Sequence, residues 1–494
     1  MHIANIRAGS ATNSSSSHSV ILVRSDKYPN GVDHLAEPNC DDLAYGWEWF
    51  LLTDLESKTK YFAAQLASNV KAIFGHSDVG AACKLIQDIT GLNMYDRLVE
   101  CSWTQEMFID ASVDHQSVWN MNGYDPTDPD TIDFLRDLFA YICRQDVVIQ
   151  GGNDNDDSED LVVGERPAGV ELACNADGRG HRRIRRDGDW YTVFNSQSGN
   201  KMRMSFLDDP GEYVKASAPE LVDVKITDYC PLGCSFCYQS STKEGVHAPL
   251  GEIRRLARLL NKLKVFEVAI GGGEPTMHPD FPEILRTFKK YGIQPNFTTY
   301  SSAWIKNSDI MAAVNECQPA IGVSVHNQRD LKKLKTINDA INYSSFFEPK
   351  VMAQHVVGSL DSGQTCQLLI DTWEMKIPVL LLGFKTVGFG SDKEPHDMKG
   401  LGDLLVLAAK GDKKYYGASM VSLSVDTAFL DRYNDILVNM GVRHELTASP
   451  EGKFSMYVDA VTGRVGPSSY VPGDELVPLK TRSVRELLSH WRKW

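Results

Sequence analysis

The chain has 494 residues, 42% of them apolar, which is enough for sizeable cores and, as a soft prior, about three domains. A formal net charge of −14 argues against a broad nucleic-acid-binding surface, because attraction to phosphates needs a basic footprint. No apolar run approaches the ~20 residues of a membrane span, and the first residues lack the apolar core of a secretory signal. Ten cysteines, mostly isolated from one another, fit reduced thiols, so a cytoplasmic location is expected.

Asn13 to Ser19 is a polar turn before a strand-like run, Val20 to Val23. From Tyr45 to Gly75 the residues Trp47, Phe50, Leu51, Leu55, Tyr61, Phe62 and Leu66 recur at three- and four-residue steps, the period of an amphipathic helix. Helical signal returns at 80–91 and 131–143, so residues 1–150 are expected to form a mainly helical accessory domain. Gly151 to Asp160 is an acidic linker whose spacing does not suit a calcium loop. Arg182, Arg183, Arg185 and Arg186 then precede Trp190–Phe194, a turn at 195–200 and the strand-like Lys201–Phe206. The arginines are expected at a solvated hairpin end balanced by the acidic linker, and residues 151–215 as linker and hairpin.

From Leu221 strands and helices alternate. Strands are expected at Leu221–Thr227, Phe266–Ile270, Ile293–Thr299, Ala320–Val325, Lys350–Val357 and Ile377–Phe384. Helices are expected between them, at Leu250–Leu263, Phe281–Tyr291, Asp309–Val314, Asp330–Ile341 and Cys366–Trp373. That alternation argues for parallel strands with right-handed crossovers, curled into a partial barrel over 216–392. Residues 393–494 add helices near 397–410 and 427–440, a strand pair near Phe454–Val458 and a helical end, an α+β extension.

Cys230, Cys234 and Cys237 lie in one loop after the first of these strands. Thiolates so placed are soft ligands that select zinc, copper(I) or iron–sulfur clusters. A zinc knot needs a fourth ligand such as His247; three thiolates on a four-iron cluster instead leave one iron open. After the second strand, Gly271-Gly272-Gly273-Glu274-Pro275 offers bare backbone to a ligand, at the strand ends where such barrels place their sites.

The Cys-x3-Cys-x2-Cys loop, with Phe236 before its third cysteine, followed one strand–helix unit later by Gly-Gly-Glu-Pro, resembles the radical S-adenosylmethionine (radical SAM) enzymes. The resemblance covers about Leu221 to Gly390. It implies an open (β/α)6 TIM-like barrel in which Cys230, Cys234 and Cys237 hold a [4Fe–4S] cluster. Its open iron binds S-adenosylmethionine (SAM), oriented by Gly272, Gly273, Glu274 and Pro275. Ser324 matches a ribose contact, and Leu382-Gly383-Phe384 the adenine contacts; Thr299-Tyr300-Ser301 stands where the family often has Thr-Asn-Gly. His326, His355 and Lys385 lie near strand ends and could face substrate.

The C-terminal extension loosely resembles the SPASM or twitch extensions of peptide-modifying members. Ser468 and Ser469 stand where a ligand cysteine would be, and no cysteine follows Cys366, so no auxiliary cluster is expected. The resemblance implies reductive cleavage of SAM to a 5′-deoxyadenosyl radical, hydrogen abstraction from a peptide or protein side chain, and a flavodoxin- or ferredoxin-type reductase as electron donor. Modification of RNA or a nucleotide, and a catalytically silent binding or assembly module, are the alternatives.

Overall fold

The computed structural model describes residues 201–494 apart from 342–350, 410–422, 440–450, 472–474 and 480–482. Of the first 200 it describes 2–7, 19–24, 50–52, 54–68, 79–91, 127–151, 170–173 and 182–196, with Asp125 and Gly199. All but the last residue of the expected serine-rich turn, Ser19, and all but the first residue of the acidic linker lie outside the described residues. Two compact units emerge, one running to Glu212 and one from Tyr213 to Trp494.

The first unit contains helices α1 (Leu55–Ser68), α2 (Val79–Thr90) and α3 (Pro129–Ile142). Its strands are β1 (His2–Arg7), β2 (Ser19–Arg24), β3 (Phe50–Leu52), β4 (Val147–Gly151), β5 (Val170–Ala173), β6 (Arg182–Asp187), β7 (Trp190–Asn195) and β8 (Lys201–Ser205). They form two four-stranded sheets, ordered β1-β8-β7-β6 and β3-β4-β2-β5, with antiparallel pairing throughout. The expected mainly helical domain is therefore α+β, and the helix expected over 45–75 starts only at Leu55, with Phe50 and Leu51 in a strand. Local periodicity could not show this, because β1 pairs with β8 across nearly two hundred residues.

The β7–β8 hairpin forms as expected, but the arginine run is a strand rather than a hairpin end. Arg185 is turned inward onto Asp187 at 3.1 Å, and Arg186 reaches Asp133 on α3 at 3.0 Å. Aromatic packing of Phe134 with Tyr191 and Phe206 backs this arrangement, with ring centroids 5.4 and 5.5 Å apart.

The second unit is the barrel. Its strands β9 (Leu221–Thr227), β10 (Glu267–Gly272), β11 (Gln294–Thr299), β12 (Ile321–Ser324), β13 (Val351–Val357) and β14 (Val379–Gly383) are all parallel. Helices α4 (Leu250–Lys262), α5 (Phe281–Lys290), α6 (Ser308–Cys317), α7 (Asp330–Ala340) and α8 (Ser362–Glu374) connect them. Alternation sets the two faces. Val222, Val224 and Ile226 of β9 are buried under the helices, while Asp223, Lys225 and Thr227 point to the other side of the sheet. On α4 the buried residues Ile253, Leu256, Ala257 and Leu260 fall three or four apart, a single apolar stripe. Helix α6 starts where Asn307 Oδ1 accepts from the N–H groups of Asp309 and Ile310, and ends at Gln318 in the left-handed region.

The boundary expected at 392–393 is not a break in the sheet. After helix α9 (Leu401–Ala409), strand β15 (Leu423–Val425) extends one edge in parallel with β14. After α10 (Thr427–Asn439), strand β16 (Ser455–Asp459) lies parallel to β9 on the other edge, followed by antiparallel β17 (Arg464–Gly466) and β18 (Val477–Pro478). Helix α11 (Val484–Trp491) ends the chain, its Trp491 buried and donating to the Ala216 carbonyl at 3.0 Å. The sheet is an open (β/α)6 barrel widened at both edges.

Candidate cluster and ligand site

The cysteine loop leaves β9 at Thr227, whose hydroxyl accepts from the Tyr229 N–H at 2.9 Å and pairs with His247 Nδ1 at 2.8 Å. The chain that follows the loop returns alongside its entry. The Asp228 N–H donates to Val246 O, and the Cys230 N–H to Thr242 O. A tight turn closes the far end, with the Cys237 N–H on Cys234 O at 3.1 Å. All three thiols are half-buried and free. Burial, then neighbouring groups that include the other thiols, pushes Cys230 and Cys234 up from the ordinary thiol value. They are therefore held protonated until a metal's charge favours the thiolates.

These residues fit an iron–sulfur cluster better than a zinc knot. A mononuclear zinc site gathers its donors on one ion. Among the described residues no three Cys, His, Asp or Glu side chains close on such a point. His247 is instead held by the Thr227 hydroxyl and packs its ring on His278, 4.9 Å between centroids. A four-iron cluster needs each thiolate on a different iron, so its donors need not converge on one ion.

The glycine run packs directly against this loop. The Gly273 N–H donates to Thr227 O at 2.8 Å and the Glu274 N–H to Tyr229 O at 2.9 Å. A Cβ on Gly272, where φ is 118°, would stand 2.3 Å from Thr227 O, and one on Gly273 would stand 2.1 Å from Tyr229 O. Glycine is thus required here for backbone-to-backbone approach. Gly271 has nothing within 4 Å of its would-be Cβ, so bare backbone is left open beside the loop.

Glu274 is placed differently from expectation. Its carboxylate is 2% exposed and takes all its donors from the protein. Oε1 accepts from the hydroxyls of Thr276 and Thr299 at 2.6 and 2.7 Å, and Oε2 from the N–H groups of Tyr300 and Ser301 at 2.9 and 3.3 Å. Charge-assisted bonds of this kind are strong. The side chain ties the end of β10 to the end of β11 and has no oxygen left pointing at a ligand. Pro275 begins the buried 3-10 turn that follows.

A third segment, which sequence reasoning missed, holds the loop from the β14 side. The Phe389 N–H donates to Cys237 O at 2.9 Å, and at Gly388, where φ is 60°, a Cβ would stand 2.4 Å from Tyr238 O. The Gly388-Phe389-Gly390 pattern was the available signal. Phe236 faces inward, its ring 5.0 Å from His326 and 6.3 Å from Phe384.

The ends of β11 and β12 complete the mouth. Ser324 is half-buried at the last position of β12. Asp330, the first residue of α7, accepts from the His326 N–H at 2.8 Å, the Tyr300 hydroxyl at 3.0 Å and Lys333 Nζ at 3.0 Å. The Lys333 ammonium also sits 3.0 Å from the centre of the Tyr300 ring. Burial, with the Asp330 hydrogen bond next, pushes the Tyr300 phenol up to about 12. His355 is buried and structural: its Nδ1–H donates to Val325 O at 3.0 Å and its Nε2 accepts from Thr365 at 3.3 Å. Lys385 lies 3.7 Å from Asp426 and over the rings of Tyr238 and Tyr470. In the extension, Ser468 is buried and caps its own turn by accepting from the Tyr470 N–H at 3.1 Å.

Residues 224–346 match the family model of the Radical SAM superfamily. The chain is 30% identical over 151 residues to GTP 3′,8-cyclase of Aquifex aeolicus (strain VF5), covering 29% of this chain and 46% of that protein. It is 31% identical over 98 residues to PqqA peptide cyclase of Rhodopseudomonas palustris, covering 19% and 26%. The chain thus spans about half or less of the length of these curated relatives. Among solved structures, Streptococcus suis SuiB bound to precursor peptide SuiA aligns with 63% of this chain and 87% of that one, at 14% identity and a TM-score of 0.48. No helix among the described residues is long and apolar enough to cross a membrane.

Proposed function

We propose that this chain, through the radical SAM domain of residues 224–346, is an enzyme that cleaves SAM reductively and abstracts hydrogen from a peptide or protein side chain. The observation that carries the reading is the junction of the cysteine loop with the glycine run, made by the Gly273–Thr227 and Glu274–Tyr229 backbone bonds. When bound, the [4Fe–4S] cluster, reduced by an outside flavodoxin- or ferredoxin-type donor, supplies the electron that splits the sulfonium bond and leaves a 5′-deoxyadenosyl radical.

The chain's own part is to bind, orient and exclude. Cys230, Cys234 and Cys237 would hold the cluster, one iron each, and would leave its fourth iron for the ligand. The open backbone at Gly271, next to Gly272 and Gly273, would receive the methionyl end of SAM. Glu274 acts at one remove, fixing the turn at Tyr300 and Ser301 against the mouth. Ser324, at the end of β12, would meet the ribose, and Phe236 would wall the site beside the cluster.

The peptide as substrate is supported by the likeness to PqqA peptide cyclase. A nucleotide is the second reading, favoured by the 151-residue likeness to GTP 3′,8-cyclase. Within the arginine run, Arg185 is buried against Asp187 and Arg186 is paired with Asp133, which weakens the case for RNA. The test is to incubate the anaerobically reconstituted, reduced chain and SAM with candidate peptides and, separately, with GTP. A mass change in a peptide supports the reading; turnover of GTP with every peptide unchanged overturns it in favour of the nucleotide.

A further inference from the structure

The inner face of the barrel is not packed shut. On five strands two sealed residues flank a half-buried one that faces the lumen: Asp223 on β9, Ala269 on β10, Thr298 on β11, Gln354 on β13 and Leu380 on β14. A closed barrel fills this space with layers of side chains. Charge inside it is out of balance. Asp223 faces the carboxyls of Glu267, Asp426 and Glu451 and one ammonium, that of Lys385. Lys225, the other lysine on this face of β9, is already paired with Asp228 and Asp459.

Three of the four carboxyls have donors from the protein. Asp426 accepts from the N–H groups of Gly383 and Phe429, both at 2.8 Å, Glu451 from the hydroxyls of Thr427 and Ser455, and Glu267 from the Asn296 amide at 3.0 Å. Asp223 has neither a hydrogen bond nor an ion pair among the described residues. Its cross-strand neighbour Tyr457 sends its hydroxyl to Gln239 at 3.3 Å instead. The Lys385 ammonium lies 3.7 Å from Asp426 and over the rings of Tyr238 and Tyr470, at 4.6 and 5.0 Å. The shortage of positive charge shows in the acid–base balance. Burial, then Glu451, pushes Asp223 up to about 7, and burial pushes Glu451 up as well. Burial by itself would lower Lys385, yet Tyr238, Asp426, Asp223 and Glu451 outweigh it and hold the ammonium above the ordinary lysine value. A second cation in this space would satisfy Asp223 and ease Glu451.

We propose that the lumen takes a cationic side chain of the peptide substrate, a lysine ammonium or an arginine guanidinium, with the Asp223 carboxylate as its acceptor. The assignment rests on the reading of the chain as a SAM-cleaving enzyme that acts on a peptide. Asp223 sets which substrate is held and takes no part in cleaving SAM. Tyr238, which walls Lys385, directly follows Cys237, so the site borders the end of the cysteine loop. The same carboxylates repel the phosphates of a nucleotide, so the charge of the lumen favours a peptide over GTP.

The chain is loaded anaerobically with iron and sulfide and given SAM but no reductant. Binding of four probes, the N-acetyl amides of lysine, arginine, norleucine and glutamate, is then titrated by saturation-transfer NMR at one ionic strength. The lysine or arginine amide is expected to bind about 10-fold more tightly than the norleucine amide, the worth of one hydrogen bond to a charged group. The glutamate amide is expected to bind more weakly than any of them. Asp223→Asn is expected to abolish the preference for the cationic amides. Lys385→Met removes the competing cation and is expected to strengthen lysine-amide binding about threefold or more. Thermal unfolding in the same buffer shows whether each variant keeps its fold; for one that does not, the comparison of probes on the wild type decides. No preference for a cationic amide in the wild type, the same preference in a folded Asp223→Asn chain, or glutamate-amide binding that is lost in Lys385→Met overturns the proposal. 5′-Deoxyadenosine formed by the same preparation with dithionite is measured separately. Its absence refutes the SAM reading and leaves the charge preference to be read on its own; its presence without a charge preference refutes this site alone.

Discussion

The would-be Cβ of Gly273 lies 2.1 Å from the carbonyl oxygen of Tyr229, so the strand end that carries the glycine run is pressed against the entry of the cysteine loop. Any side chain at 273 must drive the two apart. Gly273→Ala is expected to destabilise the fold by about 1–3 kcal/mol, the usual cost of overpacking. It is also expected to lower the iron retained after reconstitution. Denaturant midpoints and iron per chain check this; an alanine variant that keeps both would show that the loop and the strand are not interlocked.

Glu274 joins the ends of β10 and β11 through donors that all come from the protein. Glu274→Gln replaces an acceptor oxygen with an amide that donates, and the N–H groups of Tyr300 and Ser301 lose their charged partner. About 2 kcal/mol of stability should be lost, as for other hydrogen bonds to charged groups. SAM affinity should fall while iron content stays near normal, because the thiols are untouched. Equal loss of iron and SAM would mean that Glu274 supports the cysteine loop instead.

Asp223 faces the inside of the barrel, and burial, then the nearby Glu451 carboxylate, pushes its pKa up to about 7. Its stabilising protonated form is fully present below the unfolded value near 3.8 and is lost as pH rises through about 7. Asp223→Asn removes that titration. The variant and the wild type should be similarly stable near pH 4, and the variant should be more stable by on the order of 2 kcal/mol at pH 8. Thermal unfolding at both values measures the gap, and a gap independent of pH would contradict the assignment.

The barrel was legible in the sequence because its strands are short apolar runs separated by helices with a clear stripe; β9 and α4 began where expected, at Leu221 and Leu250. The cysteines and the glycine run were legible as spacing. What spacing could not show is which atoms Glu274 meets, since Thr299 and Tyr300 arrive from the next βα unit. The network of Tyr300, Asp330 and Lys333 was missed for the same reason: its members meet only when β11 and β12 lie side by side. In the first unit the strands are short and pair over long separations, so periodicity found the helices and overlooked most of the sheets. The arginine run looked like a solvated end because its partners, Asp133 and Asp187, are not marked as such by position.

Ser468, expected from the resemblance to stand where a ligand cysteine would be, is 3% exposed and bonded within its own turn, and no cysteine follows Cys366. The reconstituted chain should therefore hold about four irons, those of one cluster. Iron and sulfide analysis near eight per chain would require a second site.

The central claim is that SAM is cleaved at a cluster held by Cys230, Cys234 and Cys237, and chromatographic measurement of 5′-deoxyadenosine tests it most directly. The anaerobically reconstituted wild-type chain, given SAM and dithionite, should form it, and Cys234→Ala under the same conditions should form none. No product from a wild-type chain that holds its iron and sulfide, or undiminished product from the alanine variant, would contradict the account.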